Sequence, residues 1–80
     1  MKQKIFELGH RYRVKASFMS GAMPFTLNEV LIFENDGYSS YDNSFAYEFR
    51  DESGVLKTWW LPEGKPADIW KQFFVPEGDN

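Results

Sequence analysis

The sequence holds a single histidine, His10, and no cysteine. Thiolate nucleophiles, thiolate metal sites and disulfides are therefore excluded, and a nucleophilic Ser or Thr would have to be activated by His10 or a lysine. No nucleophile elbow, Ser-x-x-Lys motif or Gly-rich phosphate loop is present. Two carboxylate pairs stand out, Glu29 with Glu34 and Asp51 with Glu52. The first pair falls on opposite faces of one strand and the second in an exposed turn, so neither forms the desolvated pair that acid–base catalysis needs. Asp36 with Asp42-Asn43 lacks the one-three-five spacing of a calcium loop and reads as turn chemistry. The expectation is a non-enzyme without metal or cofactor.

Residues suited to binding are more plentiful. Arg11, Arg13 and Lys15 alternate along one strand, about 6.5–7 Å apart, as a cationic stripe fit for phosphates or for acids on a neighbouring strand. Residues 28–54 carry seven anions opposed only by Arg50. Within that stretch Tyr38 and Tyr41 lie beside Asp36 and Asp42, and Trp59 and Trp60 follow. Tyr and Trp rimmed by acids is a composition typical of protein-binding surfaces. Adjacent tryptophans in a strand point to opposite faces, so both cannot enter one core.

The elements that must position these residues read as strands. From His10 to Phe18 the chain alternates, with Tyr12, Val14, Ala16 and Phe18 of one parity and charges of the other. Met19–Phe25 reads as a loop. Residues 28–34 read as a strand apolar on both faces, ended by the turn signal Asn35-Asp36-Gly37. Tyr38–Asn43 is a short edge strand or ordered loop. Phe45, Tyr47 and Phe49 alternate along a further strand, Asp51–Gly54 is a four-residue turn, and residues 55–61 return. Pro66 opens a short helix whose face is Ile69, Trp70, Phe73 and Phe74, and Pro76 stops it.

Eighty residues make one domain, residues 1–80, whose core must be dense for its size. Aromatics supply it at 19% of the chain. The fold class is mainly β: a small SH3-like barrel, or a curled antiparallel sheet of four or five strands, with a short C-terminal helix. The net charge of −3 divides into a basic first fifteen residues and an acidic remainder. That balance fits neither a globally basic nucleic-acid binder nor a DNA mimic. The amino terminus has no signal-like apolar stretch and no run is long enough to span a bilayer, so the expected location is cytoplasmic.

Gly9-His10-Arg11-Tyr12-Arg13-Val14 followed by Phe18, then Glu29 to Phe33, Tyr41-Asp42 and a final helix ending in aromatics, form a recognisable order. In that order the chain resembles an uncharacterised family of small bacterial domains of unknown function, of SH3-like small-barrel type. It departs from the pattern at Asn28-Glu29, where the family has Gly-Glu, and in the aromatic hairpin. The resemblance implies a fold and no activity.

The functional expectation is a protein-binding module, in its most concrete form a small acidic inhibitor or immunity-type protein covering a partner's basic or functional surface. Its contact residues are Tyr38, Tyr41, Asp42, Glu48 and Trp59. The alternative is a single-stranded nucleic-acid binder using Arg11, Arg13 and Lys15.

Overall fold

A computed structural model of the chain describes residues 5–78, so Lys2 and Lys4 of the basic segment lie outside the described residues. The strands are β1 (Arg11–Val14), β2 (Phe18–Ser20), β3 (Met23–Phe25), β4 (Val30–Ser39), β5 (Ser44–Asp51), β6 (Leu56–Pro62) and β7 (Phe74–Pro76), with a 3-10 turn at Ala67–Gln72. They form one antiparallel sheet in the order β6-β5-β4-β1-β7 and a separate two-stranded hairpin, β2-β3.

The β5–β6 hairpin forms as its alternation predicts. Arg50 pairs with Leu56, and Tyr47 with Trp59. Gly54 takes φ 88°, the left-handed position that closes the turn. The Asp51 carboxylate accepts the N–H groups of Ser53 and Val55 at 2.9 and 2.8 Å.

Elsewhere tertiary pairing overrides local signals. The first strand ends at Val14; residues 15–17 bend, leave Ala16 exposed, and let Phe18 turn inward to stack on Phe25 at 4.8 Å. Met19–Phe25 is therefore a hairpin and not a loop, reversed at Gly21-Ala22 with Gly21 at φ 61°. Asn35-Asp36-Gly37 is strand and not turn. Asn35 pairs with Glu48, Asp36 with Tyr47 and Gly37 with Ala46, after a bulge at Glu34. The reversal comes later, at residues 40–43, where Asn43 takes φ 52°. Burial of β4 is one-sided, since Leu31 and Phe33 are buried and Ile32 is 41% exposed.

The C-terminal helix shrinks to a 3-10 turn, and Phe74 and Pro76 belong to β7. Pro76 thus sits on an edge strand, where a missing N–H is tolerated, instead of stopping a helix. The four apolar side chains of that segment still meet the core: Phe74 is buried, and Ile69, Trp70 and Phe73 pack against it.

Among the described residues the strands form no closed barrel. The β2-β3 hairpin reaches the β6 edge, but there the Trp60 N–H donates to the Ser20 hydroxyl oxygen at 2.9 Å. A side chain stands where a backbone carbonyl would propagate the ladder, so the gap stays open. At the centre of the core lies Phe6, ahead of every strand. Its ring stands 5.0–5.9 Å from those of Tyr12, Phe49, Trp59, Trp70 and Phe74. The Tyr12 hydroxyl holds this segment by accepting the Glu7 N–H at 2.8 Å, and the Gly9 N–H reaches the Phe33 carbonyl.

Candidate functional site

The β4–β5 hairpin carries the tyrosines to one end of the sheet. Ser39 pairs with Ser44, and the four residues between them form the tip. The tip is braced locally: the Asp42 N–H donates to the Ser39 hydroxyl oxygen at 3.3 Å and the Ser44 hydroxyl to the Asp42 carbonyl at 3.1 Å. Bracing the backbone leaves the Tyr41 side chain 95% exposed.

Tyr38 stands at the last inward-facing position of β4, opposite Phe45, with ring centroids 5.0 Å apart. Its hydroxyl donates to Glu63 Oε1 at 3.0 Å, and this bond to a carboxylate raises the phenol above its ordinary range. Glu63 comes from the turn after β6, brought close because Pro62 pairs with Ser44 and the Glu63 N–H donates to the Asn43 carbonyl. A shallow hollow of about 190 Å³, walled by Phe45, Leu61, Pro62 and Glu63 among others, opens beside them.

Three of the five expected contact residues, Tyr38, Tyr41 and Asp42, thus share one end of the molecule. Glu48 lies in mid-strand on the opposite face of the sheet, level with Asn35 and Thr58. Trp59 is a correction: it is only 4% exposed and belongs to the core, 5.8 Å from the Tyr47 ring. Trp60 is the member of the adjacent pair that reaches solvent, at 37%. Sequence reasoning missed Glu63 and Phe45 as members of the tip. The signal was the register of the β5–β6 hairpin, which places Pro62-Glu63 beside Asn43-Ser44.

The acidic stretch does not act as one surface. Glu29 turns inward to Lys57, and Glu34 accepts Arg50 Nε and Nη2 at 2.7 and 3.1 Å. The Arg50 hydrogen bond and charge hold the Glu34 carboxyl below its usual range. The cationic stripe is likewise partly engaged. Arg13 Nε donates to Glu77 Oε1 at 2.9 Å, and Lys15 Nζ to the Lys71 carbonyl at 2.9 Å. Among the described residues no group of three His, Asp or Glu side chains is placed to hold a metal ion, and no helix is long and apolar enough to cross a membrane.

No family model matches the chain, and no curated protein matches it in sequence. Among solved structures it is similar to an integron cassette protein from the mobile metagenome of Vibrio cholerae. The two share a TM-score of 0.73 and 18% identity, over 91% of this chain and 90% of that one. At that identity the likeness is one of fold: a small, mainly β architecture held in common over nearly the whole of both chains.

Proposed function

We propose that the chain is a non-catalytic protein-binding module whose contact surface is the end formed by the β4–β5 tip and the β6 turn. The observation that carries this reading is Tyr41, almost fully exposed on a braced turn, with Tyr38, Asp42 and Glu63 around it. Exposed Tyr beside carboxylates supplies an aromatic anchor with a polar rim. The carboxylates favour a partner with a basic surface, and a small inhibitor or immunity-type protein is the form that suits a chain of this size.

The nucleic-acid alternative draws less support. Arg13 and Lys15 are engaged within the chain, and the exposed tyrosines lie at the tip, away from the β1 stripe. Stacking of bases needs rings beside the cations.

The test is site-specific photo-crosslinking in the native host. A benzophenone side chain at Tyr41 is compared with one at Leu27, an exposed position before the start of β4, the strand that leads to the tip. The expected result is one protein adduct from Tyr41 alone, competed by added wild-type protein but not by Tyr41→Ala. Equal adducts from both positions, or undiminished competition by Tyr41→Ala, would remove the tip as the contact surface.

A further inference from the structure

A second concavity lies where the β2-β3 hairpin meets the edge of β6, an open groove of about 330 Å³. Its walls include Phe18, Trp59, Trp60, Ile69 and Phe73. Trp59 and Trp60 project to opposite faces of one strand, so a hollow touching both wraps around the strand's edge. It exists because the barrel fails to close. The Ser20–Trp60 hydrogen bond stops the hairpin short of a full ladder and leaves apolar side chains facing one another across a gap.

The polar features of this groove are sparse and one-sided. Ser20 is committed to the Trp60 N–H, and Lys65 is the one charged residue on the lining. Lys65 is exposed and its ammonium has no side-chain partner among the described residues. Its neighbour Glu63 is held on the other side of the turn by the Tyr38 hydroxyl. At the mouth stands Met19, 62% exposed, a flexible apolar side chain able to fit varied shapes. Small-molecule sites characteristically combine apolar walls, roughly 300–1,000 Å³ of space and a few orienting polar groups. A cavity at the lower end of that range suits a small ligand and not a folded segment.

We propose that this groove binds a small amphipathic anion, its aliphatic or aromatic body lying between Phe18, Trp60, Ile69 and Phe73 and its carboxylate at the Lys65 ammonium. A single cation on the lining sets the sign of the head group. The groove adjoins the β6 turn, sharing Leu61, Pro62 and Lys65 with the hollow beside Tyr38 and Glu63, but neither Tyr38 nor Tyr41 lines it, so its occupancy is read at Trp60 and Ile69 and not at Tyr41.

The experiment is a titration followed by backbone and indole amide resonances. Octanoate and 2-naphthoate are compared with their neutral amides on the wild type, on Lys65→Glu and on Trp60→Ala. Saturable one-to-one binding is expected, with shifts at Gly21, Lys65, Ile69 and the Trp60 indole. The anions should bind roughly two- to fivefold more tightly than the amides, the range of an exposed ion pair. Lys65→Glu should abolish that preference and Trp60→Ala should weaken all four ligands. Lys65 is exposed, so its variant keeps the fold and decides the question even where Trp60→Ala unfolds. Absence of saturable shifts, shifts that map elsewhere, or an anion preference that survives Lys65→Glu would each overturn the proposal.

Discussion

Lys57 Nζ lies 2.5 Å from Glu29 Oε2 and donates as well to the Pro24 carbonyl at 2.9 Å, with both charged side chains largely removed from water. One lysine on β6 thereby fastens the end of the β2-β3 hairpin and the approach to β4. Removing one member of a buried pair strands the other charge, at a cost of about 3–5 kcal/mol when burial is complete. Glu29 retains some exposure, so Lys57→Ala is expected to cost about 2–3 kcal/mol in urea unfolding. Lys57→Met combined with Glu29→Gln should recover much of that loss. A double variant as unstable as Lys57→Ala would show that the ion pair and the Pro24 hydrogen bond themselves stabilise the fold, and that the cost is not that of a stranded charge.

The two classes of aromatic residue should separate cleanly in thermal unfolding. Phe6→Ala and Trp59→Ala each remove a ring from the centre of the core and are expected to cost about 3–5 kcal/mol. That is a large part of the roughly 5–15 kcal/mol available to a domain. Tyr41→Ala touches no core residue and should stay within about 0.5 kcal/mol of wild type.

Tyr47 gives the fold an alkaline limit. Burial, and then the charge of Asp36, push its phenol above the ordinary value of 10.0. A group whose pKa is raised by folding contributes stability that is complete below its unfolded value and lost as pH climbs through the folded one. Stability should therefore decline from about pH 10 upward, and Tyr47→Phe should flatten that decline. Denaturant midpoints across the alkaline range provide the measurement. An unchanged slope in Tyr47→Phe would assign the decline to other groups.

Glu34 acts at the opposite limit. Its carboxyl is held below 4.5 by Arg50, so its contribution is present above that value and lost as pH falls through the lowered one. The pair is exposed at the bulge, and salt will screen it. Glu34→Gln should flatten the acid limb of the pH–stability curve at low ionic strength and do little at high salt.

Gly54 is restricted by its backbone and not by its surroundings. At φ 88° an L side chain is strained, although nothing lies within 4 Å of where a Cβ would stand. Gly54→Ala is expected to cost about 1 kcal/mol through backbone conformation alone. Asn43→Gly, at φ 52° in the other hairpin, should be neutral or slightly stabilising. The two melting temperatures check this contrast.

How much of this was legible depends on what each signal measured. The β5–β6 hairpin was readable because alternation and a left-handed glycine agree, and both are local. Asn35-Asp36-Gly37 misled because turn propensity is weak beside a ladder with Glu48, Tyr47 and Ala46, which sequence does not display. The inward face of β6 was hidden by Lys57. A lysine of the same parity as Trp59 marks that face as solvent, and only its pairing with Glu29, twenty-eight residues away, reverses the sign. The terminal segment showed its apolar side chains correctly. Whether they ride on a helix or on a strand turns on the pairing of β7 with β1, a contact from the far end of the chain.

The meeting of Phe6 with Phe74, 5.6 Å apart, joins two segments sixty-eight positions distant in sequence. Such a contact is formed late, because the loop between its ends must close first. Until β7 pairs with β1, the aromatic interior lacks Phe74 and stays open on that side, which is the kind of surface through which partly folded chains associate.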